Sequence, residues 1–435
     1  MKKRLGTLLA CLLLVFTTAC SSGKSEEGTS TGGETAGKSE ASNGKVELSL
    51  WMFTGTGLEG LIEKYQQEHE NIKINVQTQE YNDHHNGLMT ALAAGSGGPD
   101  IAMIEIGFID KFKSDEKLFH NLADHGANDI MGDYLEWKRV QASSQDGSFI
   151  YGIPTDVGPM AMYYRTDLFE QAGLPTEPAA VAELMPTWEK FIEVGKTIKD
   201  KTGKPMVYGA DIVYQSIRGQ AKEQYFNSNG DLIVETNPAI KRAWDLSTEI
   251  ANSGLAAKIS AWSPEWGAGM NNGDFTVMLG PSWMVGYMKG NAPDSSGKWN
   301  LAPMPEGSGN WGGSFMTVPS QSKHPKEAME FLKWLLSPEQ QLELFKENGS
   351  NFPSTPAVYD DPAIQTYTDE FFQNAPLGKT FSDAAKKVVP VYLGPDHITV
   401  DTPILQALAN VERNGEAADA AWQTAMDQIK RDLRR

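Results

Sequence analysis

YGIPTDVGPMAMYYRTDLFEQAGL, running from Tyr151 to Leu174, is the stretch that decides the fold. Pro154 fixes its own φ and pushes Ile153 towards extended geometry, so the opening four residues cannot be helical. Met160 to Tyr164 is an apolar run of strand length, and Asp167 is placed to cap a turn of helix opened by Leu168, Phe169 and Glu170. Gly173 ends that helix and Pro175 forbids its continuation.

Upstream, Val46, Leu48 and Leu50 alternate with Glu47 and Ser49 and predict a strand leading to Trp51. Leu58, Leu61, Ile62 and Tyr65 recur at helical spacing. Ile72, Ile74 and Val76 mark a second strand, Leu88 to Ala94 a second helix, and Asp100 to Glu105 a third strand. This β-α-β-α-β order predicts a parallel, doubly wound sheet with ligands at the carboxyl ends of its strands. Gly55-Thr56-Gly57-Leu58-Glu59-Gly60 satisfies the GxGxxG pattern of dinucleotide sites, with Glu80 twenty residues beyond Gly60. An export signal at the N-terminus argues against a soluble-cofactor enzyme, and a glycine-rich turn that starts a helix near a cleft explains the same residues. No cofactor is expected. His84 and His85 lack a third ligand at metal-site spacing and read as solvated residues at a helix start, so no metal is expected either.

The central stretch resembles the extracellular solute-binding proteins of family 1, the carbohydrate-binding subunits of ABC importers. Those proteins carry YG-Ψ-P followed by YYN-x-D-L-F-x-x-A-G-Ψ, matched here by Tyr151 to Pro154 and Tyr163 to Leu174, with Arg165 in place of asparagine on an expected lobe surface. Gly97 to Ile101 matches a G-x-P-D-Ψ motif. Thr187-Trp188-Glu189 resembles a helix start with Thr187 as cap and Trp188 as core. Phe275 to Leu279 reads as a buried strand, followed by Gly280-Pro281-Ser282-Trp283, one residue longer than the family's G-P-W. Gly312-Gly313 and then Ser322-Lys323-His324-Pro325 lead to an amphipathic helix and to Ser337-Pro338-Glu339, a capping box with Gln340.

The resemblance implies an α/β fold of two lobes, the periplasmic-binding-protein fold of type II-like form, with a ligand cleft between the lobes and a multi-strand hinge. Residues 1–19 read as a lipoprotein signal peptide and 20–45 as a Cys-anchored flexible linker. Residues 46–153 and 314–355 are assigned to the first lobe, and 154–313 and 356–435 to the second.

Both ends of the first segment fit export. Lys2, Lys3 and Arg4 precede an apolar stretch from Leu5 to Ala19, too short to span a bilayer as a helix of about 20 residues. Thr17-Thr18-Ala19-Cys20 resembles a lipobox. Cys11 leaves with the signal, so Cys20 remains as the single thiol for a lipid anchor and no disulfide can form. Ser21 to Gly44 holds six Gly, six Ser, four Glu and no large apolar side chain, and a coil of that length spans roughly 27 Å. The net charge of −18 becomes −21 once residues 1–19, with three basic and no acidic side chains, are removed. Such a body is repelled by nucleic acid and by anionic headgroups.

Tryptophan placement carries the chemical signal. Of 11 tryptophans, Trp51, Trp262, Trp266, Trp283, Trp299 and Trp311 fall outside clear helices. A sugar presents a C–H face that stacks on indole and a rim of hydroxyls that needs amides and carboxylates. The expected ligand-binding residues are Trp51, Asn82, Glu105, Asp156, Tyr214, Trp262, Trp266, Trp283, Trp311 and Gly313, with Asp211 as an alternative to Tyr214. Trp299 reads as core, and so do Tyr163 and Tyr164, since strand neighbours point to opposite faces. The resemblance implies a monomeric receptor with a carbohydrate ligand, its overall similarity leaning towards arabinose- or xylose-containing oligosaccharides, and ABC permease subunits as partners. It is expected on the extracellular face of a Gram-positive membrane, held there by its lipid. Two other readings stay open: a surface glycoside hydrolase with Glu105 and Asp156 as its carboxylate pair, and a receptor for a non-sugar solute such as a polyamine.

Overall fold

The computed structural model describes residues 44–434. The signal segment, Cys20 and the linker as far as residue 43 lie outside the described residues.

Strand β1 (Val46–Phe53) buries Leu48, Leu50 and Met52 on one face, as the alternation predicts. It pairs in parallel with β2 (Ile72–Gln79) and β3 (Ile101–Glu105), with helices α1 (Glu59–Glu68) and α2 (Tyr81–Ala93) as crossovers. Helix α2 starts seven residues before the run at Leu88 because His84 and His85 are not solvated. Both are buried, with His84 Nε2 2.7 Å from the Met103 carbonyl and His85 Nδ1 2.7 Å from that of Tyr81. The GxGxxG turn fails the dinucleotide pattern physically. Its third glycine should let helix and strand pack closely, but a Cβ on Gly60 would meet nothing within 4 Å.

Downstream of β3 lie α3 (Ile106–Phe112) and α4 (Glu136–Ala142), then β4 (Gly152–Pro154), β5 (Asp156–Val157) and β6 (Met160–Arg165). Among the described residues, the first sheet has the order β2-β1-β3-β9-β4, where β9 is Ser314–Thr317, antiparallel to both neighbours. A second core surrounds β6, flanked by β7 (Val277–Pro281) and β8 (Trp299–Ala302) in the order β7-β6-β8, all antiparallel. Tyr163 and Tyr164 are fully buried there, donating to the carbonyls of Pro281 and Thr176, and Trp188 and Trp299 join the same core. The 397–414 and 418–432 helices also pack on this core through Ile404, Leu408, Ala425 and Ile429.

Thr187, Asn237 and Ser337 each accept a backbone N–H from the first turn of the helix that follows. Arg165 is not on a surface. It is buried over Trp299, donating to the Met270 carbonyl and to Asp167, so Asp167 holds Arg165 instead of standing at the cap position.

Among the described residues the chain passes between the two cores from β4 into β5, through Trp311-Gly312-Gly313 into β9, and again between Leu344 and Phe345, ahead of β10 (Phe352–Pro353), which lies in the second core and pairs antiparallel with β5. These crossings pack tightly. A Cβ on Gly158 would overlap the carbonyl of Trp311, whose own N–H donates to the Gly158 carbonyl at 2.9 Å. Gly313 has φ +88, and a Cβ there would stand 2.7 Å from the Asp156 carbonyl oxygen. Helix α4 touches both sides, with Ala142 in the first core and Trp137 in the second, where its indole donates to the Ala385 carbonyl.

The two sides also meet away from the crossings. Asp110, on α3, accepts backbone N–H bonds from Leu393 at 3.1 Å and Gly394 at 3.0 Å. Gln145 donates to the Ser228 carbonyl at 3.0 Å.

Candidate functional site

Glu105 stands where β3 ends. Its backbone N–H donates to His85 Nε2 at 3.1 Å, and its carboxylate accepts from Tyr81 Oη at 2.7 Å and from the Gly107 N–H at 2.6 Å. With Nε2 accepting, His85 carries its proton on Nδ1 and donates it to Tyr81, so the histidine pair fixes the strand end on which Glu105 sits. Burial raises the Glu105 carboxyl above its usual range, against the lowering pull of Tyr81, Gly107 and Lys138. Asp156 accepts from Thr155 Oγ1 at 2.5 Å and from the Ser314 N–H at 3.2 Å. Buried Lys138 lies near both carboxylates, with Nζ 3.9 Å from the centre of the Phe315 ring. Burial pushes this ammonium down to about 8, outweighing the opposite influence of Asp156 and then Glu105.

A cleft of 380 Å³ opens beside Glu105. One wall carries Tyr81, Asn82, Glu105 and Phe108; the facing wall carries Arg218, Gln224, His397 and Asp401. A second cavity of 440 Å³ adjoins it, with Gln215 and Trp311 lining both. Asp211, Trp262, Glu412 and Arg413 belong to this second cavity.

Trp311 lines both cavities and Trp262 the second, while Trp283 packs against these two rings and lines neither cavity. Trp262 and Trp283 lie 5.9 Å apart between ring centres and only 21° from parallel. Trp311 stands edge-on to both, at 6.1 Å and 5.5 Å, and its carbonyl accepts from Trp283 Nε1 at 3.0 Å. Trp262 is 54% exposed and sits at φ +65, a left-handed backbone that non-glycine residues rarely adopt. A strained, exposed aromatic held among four others, Trp266, Trp283, Tyr287 and Trp311, presents a stacking face.

Several expected residues lie elsewhere. Trp266 is fully buried beneath Trp262 and Tyr287, so it supports the cluster and offers no face to a ligand. Tyr214 is fully buried with its hydroxyl 3.0 Å from that of Tyr225; of the two alternatives it is Asp211, raised to about 6 by burial, that lines a cavity. Trp51 is half-buried against the first core and lines neither cavity. Gly313 acts through its backbone, its carbonyl accepting from the Ile106 N–H at 3.1 Å. Sequence reading missed Gln141, Arg218, Gln224, His397 and Asp401. The one available signal was His397 and Asp401 at i,i+4 spacing, on one face of the 397–414 helix.

Residues 60–373 match the bacterial extracellular solute-binding protein family, and the chain belongs to it. A solved structure of an extracellular solute-binding protein of family 1 is 35% identical, covers 89% of this chain and 99% of its own, and superposes with a TM-score of 0.85. The arabinooligosaccharide-binding protein of Bacillus subtilis is 28% identical over 84% of this chain and 87% of that protein. The lactose-binding protein of Rhizobium radiobacter is 30% identical over 82% and 86%. These are binding proteins, and the chain is a binding protein, not an enzyme, which removes the hydrolase reading of Glu105 and Asp156. No group of three or more His, Cys, Asp or Glu side chains suited to a metal occurs among the described residues.

The buried histidines give the fold an acid limit. Burial lowers His84 from its ordinary value of 6.5, and lowers His85 and His397 to about 4. Between pH 6.5 and about 4 the unfolded chain therefore binds more protons than the folded one, and stability falls as pH falls. Urea midpoints should drop over that window, and the drop should be smaller in a His84→Gln/His85→Gln protein. Equal slopes for the two proteins would refute the assignment.

Proposed function

We propose that this protein is the carbohydrate receptor of an ABC importer, capturing an oligosaccharide in the cleft between its two cores and delivering it to a membrane permease. The observation that carries this reading is the cluster of Trp262, Trp283 and Trp311, joined through Trp311 to two adjoining cavities lined by amides and carboxylates. Indole faces suit the C–H surface of a pyranose or furanose ring, and the polar walls suit its hydroxyls. Two adjoining cavities favour a chain of sugars over a single unit. The arabinooligosaccharide- and lactose-binding relatives make arabinose-containing oligosaccharides and β-galactosides the first ligands to try.

The protein acts as a monomer held by a lipid on Cys20 at the outer face of a Gram-positive membrane. Palmitate labelling that persists in a Cys20→Ser protein would refute the anchor. Binding energy closes the hinge, and the closed form is what the permease recognises.

A thermal-shift screen of residues 46–435 against mono- and oligosaccharides, polyamines and metal ions tests the reading. A ligand at 100 times its Kd adds about 2.7 kcal/mol of stability. A shift confined to one oligosaccharide series, with the sugar recovered intact, supports it; shifts with polyamines alone, or with no sugar, sink it. Within the site, Glu105→Gln should weaken binding of that sugar about tenfold, the value of one hydrogen bond to a charged acceptor. In the parent protein, affinity should fall as pH drops through the raised range of Glu105, and the variant should lack that fall. Calorimetric titration reads both.

A further inference from the structure

Of the twelve buried side-chain polar atoms without a hydrogen-bond partner among the described residues, four lie on one cleft and the rest are scattered. Gln141 Oε1, Gln224 Oε1, His397 Nδ1 and Arg218 Nε find no hydrogen-bond partner among the described residues, and all four residues line the 380 Å³ cleft. Gln141, Gln224 and His397 are only 7%, 4% and 7% exposed. Folded proteins leave few such groups unpaired, so four on one cleft mark a place built around something else.

The four come from opposite sides. Gln141 rides on α4, whose carbonyl at that residue accepts from Lys113 at 3.0 Å, next to α3. Gln224, Arg218 and His397 belong to the facing wall. The four atoms are shut off from bulk solvent, so a bound ligand or an ordered water must complete their hydrogen bonding.

The types of group restrict that ligand. Arg218 is already engaged: one guanidinium nitrogen donates to Asp401 and, at 2.9 Å, to Tyr225 Oη, while Tyr225 donates to Asp401 at 2.5 Å. The guanidinium charge is thus cancelled in place. What remains is an N–H donor on Arg218, a neutral imidazole on His397, and two side-chain amides, each offering a donor and an acceptor whichever way round it sits. A carboxylate would satisfy the donors and face Asp401 and the amide oxygens. An ammonium would satisfy the acceptors but, having no lone pair, would leave the Arg218 and amide N–H donors unpaired. A hydroxyl donates and accepts at once and satisfies both kinds.

We propose that Gln141, Arg218, Gln224 and His397 form a polar subsite, adjoining the tryptophan cluster at Trp311, that grips a neutral sugar unit by its hydroxyls and selects against uronates and amino sugars. This rests on the reading of the protein as a carbohydrate receptor.

The test uses Gln141→Leu and Gln224→Leu, one from each wall, in the full globular chain. The probes are neutral arabino-, xylo-, galacto- and gluco-oligosaccharides, with digalacturonate and chitosan dimer as charged counterparts. Each leucine is expected to weaken the best neutral ligand about tenfold, and to leave unchanged or raise the melting temperature of the ligand-free protein, because an unpaired buried amide has been removed. A merely structural glutamine would lower the melting temperature. Binding by both variants equal to the parent's overturns the subsite while leaving the receptor reading intact. Digalacturonate or chitosan dimer bound as tightly as the best neutral sugar overturns the selectivity. Failure of the parent to bind any neutral oligosaccharide overturns the receptor reading and the subsite with it.

Discussion

Trp262→Ala is expected to weaken oligosaccharide binding about thirtyfold, or about 2 kcal/mol, while the melting temperature of the ligand-free protein hardly moves. The two halves of that expectation come from the same geometry. The indole is 54% exposed, so little packing is lost when it goes, and its backbone sits at φ +65, where a large side chain gains nothing. Its near-parallel neighbour Trp283 and edge-on neighbour Trp311 keep their mutual contact and the hydrogen bond between them. Calorimetric titration beside differential scanning calorimetry separates the two. Unchanged affinity would mean that the ligand does not stack there, and a large fall in melting temperature would mean that Trp262 is structural.

Gly158→Ala should do the opposite, costing about 3 kcal/mol of stability, at the upper end for overpacking, and abolishing most binding. A Cβ there collides with the Trp311 carbonyl, which is main chain and cannot turn aside. The crossing strand must move, carrying Trp311, the residue shared by both cavities. Because the Trp311 carbonyl also holds Trp283 Nε1, the displacement reaches two rings. Denaturant midpoints and ligand titration check the two effects. A variant as stable as the parent would show that the strand has slack.

The legible part of this fold was the part encoded by spacing. Alternation gave β1 its buried face, the apolar run from Met160 to Tyr164 became β6, Gly173 ended the short helix after it, and Thr187 and Ser337 announced their helices as caps. The site was legible where residue chemistry is rare. Trp262, Trp283 and Trp311, far apart in sequence, were expected at the cleft as aromatic platforms and do form one cluster. Reading failed where burial depends on partners brought in from elsewhere. His84 and His85 looked solvated because nothing local shows that Met103 and Glu105 will face them. Arg165 looked like surface because its acceptor at Met270 lies over 100 residues away. Glutamines such as Gln141 and Gln224 carry no pattern at all; only the folded walls show that their amides lack partners.

The grip of Asp110 on the main-chain N–H groups of Leu393 and Gly394 has a consequence for how such receptors diversify. A carboxylate that holds peptide groups is blind to the side chains around them. Val389, Val391 and Ile398, which flank the held residues and line the cleft, can be exchanged for other shapes without loosening the fastening. Mutation can therefore retune what the pocket admits while the catch stays constant, and a single scaffold can drift from one sugar to another through folded, working intermediates.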